Sequence, residues 1–258
     1  MKNTTMKTDT ILQGDCLSLM QELPDHSIDL VLCDLPYGIT ANEWERPLPL
    51  PGLWREYRRV VKTSGYVILT AQGLFASALM ESNRRQFSHK LVWFKHKARG
   101  FLNAGRMPLK IHEDILVFRM GKKAPYHPQF TLGHAPYKDK YTFTISSNYS
   151  LSTRSCPTLP AKESDGRRYP IDVVQFPVTS LDMPHIHPTQ KPVEMGRYLI
   201  RQYSNPGALV LDNCCGSGSF PVAAALENRR FLGMEANGSY ASAARQRFQN
   251  IRESFLCL

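Results

Sequence analysis

An acidic residue, a proline and an aromatic residue follow a short apolar segment near the start of the chain. Residues 28–33 have the composition of a buried strand, and Asp34, Leu35, Pro36 and Tyr37 come directly after it. The Asp34 carboxylate and the Leu35 carbonyl could each accept one N–H of an exocyclic base amine, which frees the nitrogen lone pair for attack. Tyr37 offers a flat face for an unstacked base. The four residues therefore favour a catalytic site for base modification, although Asp and Pro also occur where a strand simply ends in a turn.

A second apolar segment ends in a glycine-rich turn near the other end of the chain. Residues 209–211 precede Asp212, and Gly216, Ser217 and Gly218 form the turn before a helical pattern. Glycines let a backbone approach a ligand closely at the carboxyl end of a parallel strand, where α/β sheets bind nucleotides. Asp212 could accept a hydrogen bond from an amino group of that ligand. The pattern predicts a ligand site, although a single Gly-x-Gly turn is weak support for one.

The residues after this turn indicate a nucleoside rather than a dinucleotide. Glu235 ends the next predicted strand about 20 residues later, where a carboxylate binds ribose hydroxyls in nucleotide-binding folds. Phe220 and Pro221 stand where a third glycine would complete a pyrophosphate-binding loop. A nucleoside ligand without phosphates therefore fits the sequence better.

A predicted helix start upstream of the turn could bind a carboxylate. Thr189 is predicted to be the N-cap of this helix, with Pro192 in its first turn. The free N–H groups of a helix N-terminus attract anions, and Lys191 adds a full positive charge. An amino acid linked to a nucleoside would occupy both sites, whereas the alternative is a capped helix without a ligand.

The net charge of +10 is distributed unevenly. Between Arg84 and Lys110 there are eight basic residues and no acidic residue, a balance that favours a polyanionic partner over a solvated basic surface. Residues 121–184 are polar, lack a clear helical period and combine basic residues with tyrosines, as nucleic-acid surfaces do. The predicted DNA-binding residues are Arg99, Arg106, Lys110, Lys122, Lys123, Lys138, Lys140, Arg154, Arg167 and Arg168.

Short apolar segments alternate with segments of helical spacing over the rest of the chain. Strands are predicted over 10–13, 28–33, 66–70, 90–94, 115–118, 209–211 and 230–234. Helices are predicted over 17–22, 53–61, 74–84, 193–203, 220–227 and 239–251. This alternation predicts an α/β fold built on a mostly parallel sheet.

Two further patterns concern the environment of the protein. The six cysteines have no metal-ligand spacing, so we expect reduced thiols and no metal site. Neither a secretory signal nor an apolar stretch long enough for a membrane span is visible, so we expect a cytoplasmic protein.

Taken in chain order, these motifs resemble those of the amino-DNA methyltransferases of the permuted β class. In that family a (D/N/S)PPY motif comes first, a recognition region follows, and the cofactor motif comes last. The matching residues are Asp34-Leu35-Pro36-Tyr37, 121–184, His187-Pro188-Thr189-Gln190-Lys191-Pro192, 212–220 and Gly233-Met234-Glu235. The resemblance implies a Rossmann-like methyltransferase fold with a seven-stranded, mostly parallel sheet. Residues 1–258 would form a single catalytic domain, in which 121–184 is an inserted basic target-recognition region.

The resemblance also assigns roles to individual residues. The cofactor would be S-adenosyl-L-methionine (AdoMet), with Asp34 between the methyl donor and the target amine and Tyr37 stacked on a flipped base. The residues implied to bind AdoMet are Asp15, Cys16, Asp34, Thr189, Lys191, Asp212, Gly216, Ser217, Gly218 and Glu235. The implied partner is DNA as substrate, and a homodimer and a cognate restriction endonuclease stay open.

Two positions depart from the family pattern. Leu35 replaces a proline, but this residue would act through its carbonyl, so we expect activity to survive. Asn213-Cys214-Cys215 replace Pro-Phe-x, which removes an aromatic residue that Phe220 could replace. An acidic first residue in the catalytic motif accompanies adenine more often than cytosine in this family. We therefore expect direct methyl transfer to N6 of a flipped adenine in DNA, with cytosine-N4 methylation, RNA methylation and an inactive DNA-binding regulator as alternatives.

Overall fold

Strands and helices alternate along most of the chain. The computed structural model describes residues 6–38, 47–138, 143–144, 158–159, 163–178 and 189–256. The strands are β1 (Thr10–Gln13), β2 (Ile28–Cys33), β3 (Val61–Ala71), β4 (Phe87–Arg99), β5 (Lys110–Arg119), β6 (Tyr137–Lys138), β7 (Phe143–Thr144), β8 (Thr158–Leu159), β9 (Glu163–Ser164), β10 (Val173–Gln175), β11 (Leu209–Asp212) and β12 (Arg230–Glu235). The helices are α1 (Cys16–Gln21), α2 (Leu50–Val60), α3 (Gly73–Ser82), α4 (Val193–Tyr203), α5 (Ser219–Leu226) and α6 (Gly238–Leu256), with a 3₁₀ helix at Phe101–Asn103. Each strand and helix predicted from the sequence has a counterpart among them.

The main sheet has eight strands, in the order β1-β12-β11-β2-β3-β5-β4-β10. β5 runs antiparallel to both of its neighbours, and the other neighbouring strands are parallel. The predicted α/β fold with a mostly parallel sheet is confirmed, but the predicted count of seven strands is wrong. The additional strand is β10, which pairs with Val92–Phe94. It has three residues and one buried side chain, so it is too short to leave a strand pattern in the sequence.

The central strand β2 carries helices on both faces of the sheet. Leu30 and Leu32 lie in one hydrophobic core with residues of α4, α5 and α6. Val31 and Cys33 lie in a second core with residues of α1, α2 and α3. Because side chains alternate between the two faces of a strand, residues 30–33 of β2, which are covered on both faces, are all apolar. Because β1, β12, β11, β2 and β3 are parallel, their carboxyl ends share one edge of the sheet, between the two helix layers.

Helix α4 begins at Val193, downstream of the predicted cap. Pro192 is the N-cap residue, with φ −64° and ψ 131°, and no side chain caps this helix. The prediction that Thr189 is the N-cap is therefore wrong. Proline disfavours helical dihedral angles in the residue before it, so Lys191 cannot join the helix. His187 and Pro188 lie outside the described residues.

The chain forms two compact units, one comprising Met1–His127 and Asp172–Leu258, the other Pro128–Ile171. The first unit contains the main sheet and the six helices. The second unit falls within the segment 121–184 that the sequence predicts as an insertion, and it contains two antiparallel pairs of short strands, β6 with β9 and β7 with β8. In the described part of the chain, no helix is both long and apolar enough to cross a lipid bilayer.

Candidate active site

The carboxyl ends of β2, β11 and β12 meet at one edge of the sheet, beside a pocket of about 280 Å³. Asp34 directly follows β2, whereas Asp212 and Glu235 are the last residues of β11 and β12. Because β5 runs in the opposite direction, its early residue Glu113 lies at the same edge. All four carboxyl side chains line this pocket. The topology thus brings together acidic residues from both ends of the chain.

Asp34 is held by three side chains. Its Oδ1 atom accepts hydrogen bonds from the Tyr37 hydroxyl at 2.8 Å and from the Thr70 hydroxyl, and its Oδ2 atom accepts one from Lys191 Nζ at 2.5 Å. Each carboxylate oxygen has about two acceptor positions, so Oδ1 is saturated while Oδ2 keeps one. The Asp34 side chain is 22% exposed, which leaves this position accessible from the pocket. Asp34 can therefore accept one further hydrogen bond from a donor that enters.

Lys191 lies between two carboxylates. Its Nζ atom contacts Asp34 and lies 3.7 Å from Glu113 Oε2, while Oε1 of Glu113 accepts a hydrogen bond from Lys95. Burial alone would lower the pKa of Lys191, but the two carboxylates outweigh burial and hold this pKa above its usual value. Lys191 is therefore a cation at neutral pH. The sequence had suggested that Lys191 adds its charge to a free helix N-terminus. In the structure Lys191 is instead paired with Asp34.

The Tyr37 ring is fixed from two directions. Its centroid lies 5.3 Å from that of Phe75, with the two rings tilted by 31°, and Lys191 Nζ lies 5.7 Å from the same centroid. Burial raises the pKa of Tyr37 well above its usual value, so the hydroxyl stays protonated and donates to Asp34. A ring held in this way provides a rigid stacking surface at the pocket.

The turn between β11 and α5 is tied to the end of β12. The Gly216 N–H donates to Glu235 Oε2 at 2.8 Å, and the Asn237 N–H donates to Oε1 at 2.8 Å. Gly216 has φ 50°, in the left-handed region that glycine enters readily. Asp212 is 3% exposed, and burial raises its pKa to about 8. At neutral pH the Asp212 carboxyl is therefore protonated unless a cation pairs with it.

Gly218 was predicted to bind the cofactor, but it lies outside the pocket lining. It is the N-cap residue of α5 with φ 77°, and a Cβ atom there would come within 3.1 Å of the Ala244 Cβ on α6. Gly218 therefore shapes the turn by permitting close contact with α6. Arg247 of α6 supports the same turn from behind, because its guanidinium donates to the Ser217 carbonyl and the Ser219 hydroxyl.

The start of α1 forms another wall of the pocket. Asp15 caps this helix, with Oδ2 accepting from the Ser18 N–H at 2.8 Å, and the buried Cys16 follows it. Asn213 donates to the Cys16 sulfur at 3.7 Å and accepts from the Tyr57 hydroxyl at 2.6 Å. Asn213, which departs from the family pattern, thus links β11 to α1 and α2. Phe220 is buried and lines the pocket, where the sequence had suggested that it could supply the missing aromatic ring.

Most of the predicted site residues converge on this one pocket. The four residues of the catalytic motif, Asp34, Leu35, Pro36 and Tyr37, all line it. The predicted cofactor-binding residues in its lining are Asp15, Cys16, Asp34, Thr189, Lys191, Asp212, Gly216, Ser217 and Glu235. The first half of the chain therefore contributes a carboxylate and an aromatic ring to the same space as the glycine turn of the second half.

A family model described as DNA methylase matches residues 28–246, which include β2, the glycine turn and β12. The chain belongs to the DNA methylase family. The methylase is 27% identical over 245 residues to the DNA adenine methyltransferase YhdJ of Escherichia coli (strain K12), with 90% of this chain and 79% of YhdJ covered.

Solved structures share the fold of the methylase. The PvuII DNA methyltransferase, which is cytosine-N4-specific, has a TM-score of 0.66 at 15% identity, with 98% of this chain and 96% of that chain covered. The M1.HpyAVI–SAM complex has a TM-score of 0.59 at 18% identity, with 92% of this chain and 98% of that chain covered.

The pocket of the methylase fits AdoMet, the methyl donor of the family. Both Glu235 oxygens keep an acceptor position, which suits ribose hydroxyls. The buried carboxyl of Asp212 suits an ammonium group: burial raises its pKa, and it forms no ion pair with another described residue. Several carboxyl groups around one pocket provide the hydrogen-bond acceptors and the negative charge that suit a ligand with a sulfonium and an ammonium.

Three residues at the site of the methylase were not predicted from the sequence. Thr70 contacts Asp34, Glu113 contacts Lys191, and Lys95 contacts Glu113. Thr70 lies inside β3, where a strand pattern does not show which residue faces a pocket. Glu113 and Asp114 together precede the apolar run 115–118, and an acidic pair beside a buried strand is a usable signal. Its meaning depends on the reversed direction of β5, which the sequence does not indicate.

In the first unit of the methylase, the predicted DNA-binding residues are exposed. Arg99 ends β4, Lys110 begins β5 and Arg106 lies in the loop that joins them. Lys122 and Lys123 follow β5. β4 has the same direction as β3 because both are antiparallel to β5. The hairpin after β4 therefore lies at the edge of the sheet that carries the pocket.

In the second unit, the predicted DNA-binding residues already have partners within that unit. Lys138 and Arg167 form ion pairs with exposed acidic residues, and Arg168 lies 4.8 Å from the centroid of a tyrosine ring. Exposed pairs of this kind are weak and can be exchanged for phosphate contacts. Lys140 and Arg154 lie outside the described residues.

Proposed function

We propose that the methylase transfers the methyl group of AdoMet to N6 of adenine in DNA. The observation that carries the proposal is Asp34, a carboxylate with one vacant acceptor position in the pocket that the Asp212–Ser217 turn also lines. An acidic residue at this position of the motif is the type that accompanies adenine. The relative YhdJ is named as an adenine methyltransferase, which supports the same base.

An exocyclic base amine is a poor nucleophile because its lone pair is delocalised into the ring. The site can reduce this delocalisation. One N–H donates to Oδ2 of Asp34 and the other to the Leu35 carbonyl, so that the nitrogen moves toward tetrahedral geometry. AdoMet, when bound, would supply the methyl group, with the electrons of the broken S–C bond left on sulfur as the amine lone pair forms the new N–C bond. Asp34 would take one amine proton and pass it to solvent. Alignment of this kind can contribute about 7–11 kcal/mol to lowering the barrier.

A base inside a duplex cannot reach this pocket, so the target must be flipped out of the helix. The Tyr37 ring supplies a stacking surface worth roughly 1–3 kcal/mol per base. The exposed basic residues of the β4–β5 hairpin lie at the same edge of the sheet and would hold the phosphates beside the pocket.

A product analysis tests this proposal. Purified protein is incubated with unmethylated DNA and AdoMet that carries an isotopically labelled methyl group, the DNA is digested, and the nucleosides are separated by mass. We expect labelled N6-methyladenine, which Asp34→Ala abolishes while DNA affinity is retained. Base-resolution mapping of the same DNA then gives the sequence context. If no labelled methyl group enters the DNA at concentrations where AdoMet is bound, the proposal is refuted.

Cytosine-N4 methylation is the second candidate. It is supported by the PvuII DNA methyltransferase, which shares the fold with a TM-score of 0.66 and is named as cytosine-N4-specific. Both bases present an amine with two N–H donors, so Asp34 and the Leu35 carbonyl could hold either of them. The same digest decides between the two, because N4-methylcytosine and N6-methyladenine differ in mass.

A further inference from the structure

Four charged side chains form a row that begins at Asp34 and continues through Lys191 and Glu113 to Lys95. Lys191 contacts Asp34 at 2.5 Å and Glu113 at 3.7 Å, and Glu113 in turn accepts a hydrogen bond from Lys95. Lys95 also lies 5.0 Å from the Trp93 ring centroid. The charges alternate along this row, so each inner group is flanked by two charges of opposite sign.

Glu113 is built into this row rather than placed on its surface. The residue is 8% exposed, as is Lys191, and it lines the pocket. Its Oε2 atom has no hydrogen-bond partner among the described residues, because 3.7 Å to Lys191 is an ion-pair distance and longer than a hydrogen bond. A buried acceptor left in this state is costly, which indicates a role for its charge.

The charge of Glu113 matters because Lys191 places a positive charge beside the vacant acceptor position of Asp34. The only acceptor position left on Asp34 is on Oδ2, the atom that Lys191 contacts, as judged from the described residues. The target amine would therefore bind directly beside an ammonium group. Methyl transfer places positive charge on that amine, and an uncompensated neighbouring cation would oppose it, most strongly in a buried site.

We propose that Glu113 is a positioning residue for methyl transfer, which holds Lys191 against Asp34 and neutralises its charge at the target amine. This inference rests on the proposed function, since it concerns how the same site handles charge. Lys95 completes the arrangement by holding Glu113 from the other side. The groups that face Lys191 are Asp34 after β2, Glu113 on β5 and the Tyr37 ring.

The main variant is Glu113→Gln, which keeps the shape of the side chain and removes its charge. Its matched control is Asp114→Asn on the same strand, because Asp114 is also a carboxylate in an ion pair, with Lys90 at 3.0 Å, and does not line the pocket. We expect Glu113→Gln to lower kcat by up to about a hundredfold, while KM for DNA and for AdoMet changes little. Asp114→Asn should leave kcat at the wild-type value.

A titration provides a readout that a merely structural role would not move. Lys191 loses one of its two carboxylates in Glu113→Gln, so its pKa falls. The same fall is measured without cofactor or DNA, by following the lysine Nζ signals of ¹⁵N-labelled protein by NMR as pH is raised. Lys191 is assigned by its loss in Lys191→Met. Glu113→Asp, which retains the charge on a shorter side chain, should restore most of the lysine pKa.

The outcomes separate this inference from the proposed function. A wild-type kcat and an unmoved Lys191 pKa in a folded Glu113→Gln protein would overturn the inference while DNA methylation stands. An absence of methyl transfer in the wild-type protein would overturn the proposed function, whereas the NMR titration would still report on the Glu113–Lys191 pair. Should Glu113→Gln fail to fold, Glu113→Asp is the test. A positioning role for Glu113 requires that kcat of this variant fall below the wild-type value, and an unchanged kcat would overturn the inference.

Discussion

Asp34 accepts hydrogen bonds on both of its oxygens, and the two oxygens have different uses. Oδ1 is saturated by Tyr37 and Thr70, which fix the orientation of the carboxylate, and Oδ2 carries Lys191 and the vacant acceptor position. The sequence identified Asp34 and Tyr37 because they stand directly after a strand. It could not identify Thr70 or Lys191 as partners of Asp34, because their contacts depend on strand register and on the bend before α4.

We expect Asp34→Asn to lower the rate of methyl transfer by about 10²- to 10⁴-fold. The amide keeps an oxygen for Tyr37 and Thr70 but presents an N–H group to Lys191 and to the target amine, both of which are donors. Single-turnover transfer of labelled methyl to DNA measures the effect, with DNA and AdoMet affinities as controls that should change little. A rate close to that of the wild-type protein would show that the carboxylate does not hold the amine.

Asp212 should make AdoMet binding dependent on pH. Burial raises its pKa to about 8, so the carboxyl must lose a proton before it can pair with the ammonium of the ligand. Affinity should therefore rise roughly tenfold from pH 6 to pH 7, and binding at pH 7 should release close to one proton. The rise should end near pH 8, where an α-amino group loses its own charge.

Calorimetry in buffers of different ionisation enthalpy measures this proton. Asp212→Asn should bind AdoMet more weakly and release none, and methylthioadenosine, which lacks the ammonium, should release none from the wild-type protein. Equal proton release by the wild-type and Asp212→Asn proteins would assign the titration to another group.

At the scale of elements, the sequence predicted what depends on local pattern and missed what depends on partners. The bounds of β2 and the helical period over 193–203 were predicted correctly because an apolar run and a helical period are properties of consecutive residues, whereas the cap predicted at Thr189 was wrong. The direction of β5 was not predicted, since an apolar strand looks the same in either direction. That reversal brings Glu113 to the pocket. β10 was missed because three residues are too few to show a period.

Gly218 gives a prediction about how α5 and α6 support the glycine turn. Gly218→Ala introduces a side chain at φ 77°, which costs about 1–2 kcal/mol, and places its Cβ 3.1 Å from Ala244. Gly207→Ala is a matched control, because Gly207 has φ 76° and a Cβ atom added there would meet nothing within 4 Å. Both variants should lose similar stability from strain in thermal unfolding. Only Gly218→Ala should also shift the turn and weaken AdoMet binding, and equal AdoMet affinities in the two variants would contradict the packing argument.

At the scale of the whole molecule, the basic charge is placed selectively around the main sheet. Arg99 at the end of β4 and Arg106 in the loop after it are exposed at the edge that carries the pocket. Arg84 and Arg85 precede the same strand at the opposite edge. The sequence grouped all four in one basic stretch. Because β4 runs from one edge of the sheet to the other, Arg99 and Arg106 lie near the pocket and Arg84 and Arg85 lie far from it.

This separation predicts which basic residues contact the phosphates of DNA. If Arg99 and Arg106 each contact a phosphate, replacing both by Gln should reduce the slope of log K against log salt concentration by about two. Replacing Arg84 and Arg85 by Gln removes the same net charge, so a general attraction between a basic protein and DNA would give the same reduction. We expect the slope of this second variant to remain close to that of the wild-type protein, as measured by fluorescence anisotropy with a labelled duplex between low and physiological salt. Equal losses in the two variants would mean that DNA responds to net charge and not to the edge of the sheet at which the pocket lies.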